Sequence, residues 1–142
     1  MLARRELSEL QVRQRLARKG HDPGAIDDAV ARLLEQRAID DTRVAEAIAR
    51  TETTVRKRGK MRVRMQIERA GIAKGTAKRA TDEVFDGIDD DALIEAALAK
   101  RLRGRETIAD DREFQRLYRY LVSQGYESDR ALKALNLRKR AR

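Results

Sequence analysis

The stretch VRMQIERAGIAKGTAKRAT, residues 63–81, holds the pattern that decides the fold. Val63 and Ile67 form an apolar pair four residues apart, and Gly71 follows after four more. A spacing of four places two side chains on one face of an α-helix, and a glycine in this place suits the left-handed residue that ends a helix. Small side chains six, nine and ten residues beyond the glycine predict a second, closely packed helix.

The same pattern occurs in two other places along the chain. The members are again an apolar pair and a glycine, and they are Val12, Leu16 and Gly20, then Leu117, Leu121 and Gly125. A further helix precedes the second and third copies, because residues 41–48 match residues 91–98 at a spacing of 50. Self-similarity at this period is typical of stacked helical repeats.

This periodicity predicts an all-α fold of three tandem three-helix repeats that form an elongated, curved array. We expect the first repeat to be truncated at its N-terminus, because only residues 2–6 remain for its first helix. The predicted repeats are residues 1–38, residues 39–87, which include a basic strip at 54–80, and residues 88–142, which end in a basic tail. Nine helices are expected, at residues 2–6, 8–19, 23–36, 41–55, 60–70, 75–85, 91–103, 110–124 and 129–136.

Local chemistry marks the predicted helix ends. Ser8 and Gln11 have the spacing of a capping box, and Asp22 places a cap ahead of a proline at the first helical position. Four further N-caps are predicted from side-chain type, at Asp41, Asp91, Asp110 and Ser128. The bulky residues that follow the repeat glycines are expected to be at least partly buried, and they are His21, Ile72 and Tyr126.

The composition excludes several classes of function. The 142 residues include no cysteine and one histidine, so disulfides, cysteine-based metal sites and histidine clusters are excluded. No nucleophile is paired with a base, and Gly71 and Gly75 lack the spacing of a phosphate-binding loop. The acidic run at residues 86–91 is expected to cap a helix and not to bind a cation.

These exclusions predict a non-enzymatic protein without a cofactor or a bound metal. No apolar run reaches membrane-spanning length, and the first residues lack the apolar core of a secretion signal. We therefore expect a cytoplasmic monomer that does not contact a membrane.

Positive charge is concentrated in the basic strip. Residues 54–80 carry ten Lys or Arg side chains and one acid, Glu68, and this balance equals the formal net charge of +9 of the whole chain. The remaining residues therefore sum to zero. A local field of this kind attracts polyanions, and its confinement to one segment argues against charge that serves solubility alone.

The candidate binding residues lie mainly where the strip begins. Guanidinium groups bind phosphates and also carboxylates on proteins, so both remain candidate ligands. The strip contains no aromatic residue, which argues against a platform for stacked bases. The predicted contacts are Arg56, Lys57, Arg58, Lys60, Arg62, Arg64, Lys78 and Arg79, with Arg13 as the equivalent of Arg64 in the first repeat.

Four segments, taken in order, resemble the bacterial regulatory protein RecX family. They are residues 2–20, the Asp-Asp-x-Arg element within residues 39–45, residues 64–72 and residues 121–126. Each motif is short, but together they extend over nearly the whole chain. The sequence departs from the family pattern at Val44, where a phenylalanine is usual, and at His21, where an aromatic residue is common.

The resemblance implies a function that the composition does not. RecX proteins bind the filament of the RecA recombinase, lie along its helical groove, and suppress its growth and activity. They thereby restrain homologous recombination and the SOS response. The resemblance thus implies a non-enzymatic regulator of RecA filaments, with single-stranded or duplex DNA as a secondary partner. The alternative, which rests on charge alone, is a stand-alone protein that binds duplex phosphates.

Overall fold

The computed structural model describes residues 6–139, and the regular secondary structure in this part of the chain is helical apart from one isolated bridge between Ile108 and Lys139. The predicted all-α class is confirmed. The helices are α1 (Glu9–Arg18), α2 (Pro23–Glu35), α3 (Asp41–Arg50), α4 (Lys60–Arg69), α5 (Lys74–Phe85), α6 (Asp90–Leu102), α7 (Asp111–Ser123) and α8 (Ser128–Leu137). Helix α3 continues into a π turn, Thr51–Val55, in which the amide of Arg56 donates to the carbonyl of Thr51.

The helices form the predicted tandem repeats. In the second repeat α3 packs on α4 and α5, in the third α6 packs on α7 and α8, and in the first α1 packs on α2. The helix expected at residues 2–6 lies outside the described residues except for Glu6, which is not helical. Ile39, which is predicted to open the second repeat, is buried with Ile26 and Val30 of the first, and the repeat boundaries stay a prediction.

The second and third repeats bury the apolar pair that the sequence pattern identifies. Val63 and Ile67 are fully buried in the core of the second repeat. Leu117 and Leu121 are buried in the third, whereas the corresponding pair of the first repeat is only half-buried. Full burial of such a side chain contributes about 1.5–3 kcal/mol to stability, so the second and third repeats hold most of the apolar stabilisation.

The repeat glycines end their helices as predicted. Gly71 and Gly125 have φ angles of 84° and 100°, in the left-handed region that other residues rarely adopt. Ile72 and Tyr126, which follow them, are buried. The prediction for His21 is wrong, because this side chain is exposed. Within the described residues, the first repeat has no third helix to cover this turn.

Part of the predicted capping is present. The capping box forms in both directions, because the Ser8 side chain accepts from the amide of Gln11 while the Gln11 side chain accepts from the amide of Ser8. Asp110 accepts from the amide of Glu113 at the start of α7. Pro23 is the first residue of α2, as expected.

Three N-caps are predicted one or two residues too late in the sequence. Asp40 and Asp89 cap α3 and α6, where Asp41 and Asp91 are predicted, and Ser128 is already the first residue of α8. The two capping aspartates have extended backbones and accept from the amides two and three residues ahead. In a run of aspartates the capping residue is the one whose backbone is still extended, and side-chain type alone does not identify it.

Asp41 has a different role, which is to join the first repeat to the second. Its carboxylate accepts from the amide of Glu9 at 2.9 Å, at the first residue of α1. The hydroxyl of Ser8, which is fully buried, donates to the carbonyl of Ala70 at the end of α4. The start of α1 is therefore fixed to both ends of the α3–α4 segment.

Candidate binding surface

The basic strip begins in a loop that is bonded to the third repeat. The amide of Gly59 donates to the carbonyl of Gln124 at 2.7 Å, and the amide of Met61 donates to the carbonyl of Gly125 at 3.1 Å. Gln124 and Gly125 form the turn between α7 and α8. Gly59 is buried there, and a Cβ atom on it would lie 2.4 Å from the carbonyl carbon of Gly125. Only a residue without a side chain permits this approach.

Tyr126 adds a third bond to the same contact. Its hydroxyl donates to the carbonyl of Lys57 at 2.7 Å, while its ring lies in the core of the third repeat. Burial raises the pKa of the Tyr126 hydroxyl above its ordinary value, which favours the protonated form that this bond requires. The backbone of the loop is thus held by the third repeat, while the side chains of Arg56 and Lys57 are exposed.

Arg62 contacts the third repeat through its side chain. One of its terminal nitrogens donates to the carbonyl of Ser123 at 2.8 Å. Ser123 is the last residue of α7, so this carbonyl has no partner within the helix and lies at the negative end of the helix dipole. The Nε atoms of Arg58 and Arg62 are buried, with no hydrogen-bond partner among residues 6–139. Arg62, predicted as a binding residue, therefore has a structural bond as well.

Two of the lysines predicted as binding residues pair with the same carboxylate, that of Asp82. The Nζ atom of Lys78 lies 2.7 Å from Oδ2 of Asp82, and the Nζ atom of Lys60 lies 2.9 Å from Oδ1. The hydrogen bonds from Lys78 and Lys60 lower the pKa of Asp82 to about 2. At neutral pH the two lysines and the ionised carboxylate therefore carry a net charge of +1.

The other predicted arginines differ in how they are paired. Arg64 is 3.7 Å from Glu68, and Arg56 is 3.9 Å from Glu52, so both ion pairs are loose. Arg13 forms a closer pair, at 2.6 Å, with Asp27 in the first repeat.

Two of the predicted cations are exposed and lack an ion-pair partner among residues 6–139. They are Lys57, in the loop, and Arg79, on α5. A terminal nitrogen of Arg79 donates to the hydroxyl of Thr76 at 3.3 Å. These two side chains, with the loosely paired Arg56 and Arg64, form the part of the strip that is most available to an anion.

Two acids that bear on this surface, Asp82 and Glu52, are not predicted from the sequence. Asp82 is four residues beyond Lys78 on α5, a spacing that predicts the ion pair within the helix. Its second contact, with Lys60 of α4, depends on how the two helices pack and has no local signal. Glu52 is buried although it lies in a polar stretch, and nothing in its neighbours predicts this.

The described residues contain neither a metal-binding group nor a membrane-spanning helix. Between residues 6 and 139, no group of three or more His, Asp or Glu side chains is arranged to hold a metal ion. In the same range, none of the helices has the length and apolar character needed to cross a membrane.

Comparison with known proteins gives consistent results. The family model described as "RecX, first three-helix domain" matches residues 1–33. The chain is 34% identical to the regulatory protein RecX of Halorhodospira halophila, over 91% of this chain and 78% of that protein. It is 31% identical to the regulatory protein RecX of Chromohalobacter salexigens, over 95% of this chain and 86% of that protein.

A solved structure shares the fold at lower identity. The crystal structure of RecX from Lactobacillus salivarius superposes with a TM-score of 0.68 at 17% identity, over 92% of this chain and 86% of that one. Fold and sequence together define a regulatory protein built of three-helix repeats. The chain belongs to the RecX family.

Proposed function

We propose that this chain binds RecA–DNA filaments through its basic strip and inhibits the recombinase, which restrains homologous recombination and the SOS response. One observation carries the proposal: in a chain of the RecX family, the strip at 54–80 holds the entire formal net charge of +9. A filament offers both DNA phosphates and protein carboxylates, and guanidinium groups bind either. We further infer that the protein acts as a non-enzymatic, cytoplasmic monomer without a cofactor.

The way in which the loop is held supports this role. Its backbone is bonded to the turn between α7 and α8, and its exposed side chains begin directly beside those bonds. Fixing a loop before binding lowers the entropy that binding would otherwise cost. The loop is therefore ready to bind a polyanionic partner such as a RecA–DNA filament without first becoming ordered.

The test is the ATPase activity of RecA on single-stranded DNA, with this protein added well below the concentration of RecA. We expect inhibition at low stoichiometry by the natural protein and its loss in the double variant R56E/K57E. The matched control is R119E/K133E, which makes the same change of charge at two exposed side chains of the third repeat. Full ATPase activity in the presence of the natural protein would overturn the proposal.

The second candidate is a protein that binds bare duplex DNA. It is favoured by Lys57 and Arg79, which have no ion-pair partner in the described part of the chain. Binding to phosphates alone weakens with salt, with a log–log slope of about −0.9 per phosphate neutralised. Filament binding through protein contacts depends less on salt and requires RecA. Tight, steeply salt-dependent binding to duplex DNA without an effect on the ATPase would favour this candidate.

A further inference from the structure

A cleft separates the start of the first repeat from the second. It has a volume of about 660 Å³, and its walls come from α1, α3, the π turn and α4. The side chains that matter for its chemistry are Gln11, Val44, Ile48, Glu52, Arg56 and Arg69. We call it the interrepeat cleft.

Glu52 is the unusual residue in this cleft. Its side chain is only 8% exposed, and its Oε2 atom has no hydrogen-bond partner among residues 6–139. Its Oε1 atom lies 3.9 Å from the nearest nitrogen of Arg56, which is beyond hydrogen-bond distance. A carboxylate that is taken out of water without a close partner is strongly unfavourable. Because Oε2 is itself buried, an incoming donor would pair with Oε1 and so offset part of this cost.

The backbone at Glu52 is also unusual. Glu52 lies in the π turn that follows α3, and the hydroxyl of Thr53, its neighbour, is likewise buried without a partner in the described part of the chain. Single π turns are rare and occur frequently at functional sites. The wider turn changes the register of the side chains after Thr51, and in this arrangement Glu52 lines the cleft.

The walls indicate which group would reach this carboxylate. Val44 and Ile48 supply aliphatic surface, and Glu52 supplies negative charge. Glu6, the other acid that lines the cleft, is already paired with Arg43 at 2.7 Å. Lysine and arginine place their methylene groups along apolar surface while the charged end pairs with a carboxylate. Arg56 and Arg69 also line the cleft, and they would repel a simple cation but attract carboxylates beside it.

We propose that the interrepeat cleft binds a lysine or arginine side chain of a partner protein, flanked by carboxylates, with Glu52 as its anchor and Arg56 and Arg69 as partners of the flanking acids. The proposal goes beyond the basic strip, because it adds an acidic anchor that selects a pattern of charge on a protein. A free polyamine lacks the flanking carboxylates and fits less well.

The test uses a blocked tripeptide, acetyl-Glu-Arg-Glu-amide, and follows the methyl resonances of Val44 and Ile48 by NMR. We expect saturable shifts with this peptide and none with the peptide that carries uncharged citrulline in place of arginine. The variant E52Q should bind at least about tenfold more weakly, because a charge-assisted hydrogen bond is lost. E83Q, at an exposed glutamate that does not line the cleft, is the matched control and should bind normally.

A second variant keeps the test valid if E52Q fails to fold. Ala47 lines the cleft, and A47L should fill it and abolish the shifts while Glu52 remains. Equal binding of the citrulline peptide, or unchanged affinity in A47L or a folded E52Q, would overturn the proposal. Tighter binding of spermidine than of the arginine peptide would overturn the assignment to a protein segment. No RecA or DNA is present, so this result is independent of the ATPase test.

Discussion

Gly59 and Gly125, which belong to different repeats, are in direct backbone contact. A Cβ atom on Gly59 would lie 2.4 Å from the carbonyl carbon of Gly125, and a Cβ atom on Gly125 would lie 2.3 Å from the Cβ atom of Arg62. The contact is what allows the amide of Gly59 to reach the carbonyl of Gln124. The first residues of the basic strip therefore have their positions set by the third repeat.

The first prediction concerns this contact. G59A should lower the free energy of unfolding by about 2–3 kcal/mol, because a methyl group is forced against backbone atoms that cannot move independently. The backbone angles of Gly59, φ −79° and ψ 166°, suit alanine, so the loss would come from crowding alone. Urea denaturation measures it.

The control for this prediction is G75A. Gly75 lies in the first turn of α5, and the nearest atom to a Cβ there is a side-chain nitrogen of Arg79 at 3.8 Å. Alanine in a helix is favoured over glycine, so G75A should gain up to about 1 kcal/mol. A G59A protein as stable as the natural one would show that the two turns are not in contact.

The second prediction separates Arg62 from Arg64. R62M keeps the aliphatic stem but loses the bond to the carbonyl of Ser123, and should cost about 1.5–3 kcal/mol in stability. R64M loses only a loose, partly exposed pair with Glu68, and should change stability by at most about 0.5 kcal/mol. Thermal unfolding of the two variants side by side makes the comparison, and equal losses would contradict the structural role of Arg62.

The third prediction concerns the carboxylate between two lysines. D82N should free Lys60 and Lys78, and thereby tighten binding of a duplex oligonucleotide at low salt. If both lysines then contact phosphates, the log–log salt slope should become steeper by up to about 1.8. D86N changes the net charge by the same amount at an exposed residue of the same region, and is the matched control. Equal effects of D82N and D86N would mean that total charge, and not these two lysines, determines affinity.

The fourth prediction is a dependence of stability on pH. Glu113 is bonded to Arg105 and to the amide of Ala109, and these bonds lower its pKa from 4.5 to about 2. Since the folded pKa is the lower one, the stabilisation is complete above pH 4.5 and is lost as the pH falls through about 2.

The variant E113Q isolates this contribution. Its melting temperature should be lower than that of the natural protein at pH 6, and the difference should shrink on acidification towards pH 2. Asp82 titrates in the same range, so the natural protein and E113Q should both retain some dependence on pH. A constant difference between pH 6 and pH 2 would contradict the assignment to Glu113.

The repeats could be predicted because their signals are local. The apolar pair ending at Ile67 and the glycine at position 71 specify a helix and its end within nine residues, and the structure has both. Helix ends in aspartate-rich runs could not be assigned so well. Asp41 has the side chain of an N-cap, but its carboxylate is bonded to Glu9 of the first repeat, a contact 32 residues away in sequence.

The sequence locates the candidate surface but does not show which of its side chains are paired with other residues. Counting charges identifies the strip, whereas the pairing of Lys60 with Asp82 and the bond from Arg62 to Ser123 depend on how helices pack. The burial of Glu52 was likewise not predictable, because it follows from a π turn that has no clear sequence signal. Local sequence patterns therefore do not predict the contacts that depend on how helices and repeats pack.

The contact between the loop of the second repeat and the turn of the third has a consequence for how such a chain can evolve. In many repeat proteins, units are gained, lost or exchanged because each one makes only generic contacts with its neighbours. Here the basic loop of the second unit is held in place by hydrogen bonds to the carbonyls of Gln124 and Gly125 in the third unit. Deleting or replacing the third unit would therefore disturb the basic loop of the second, and these two units are expected to be inherited together.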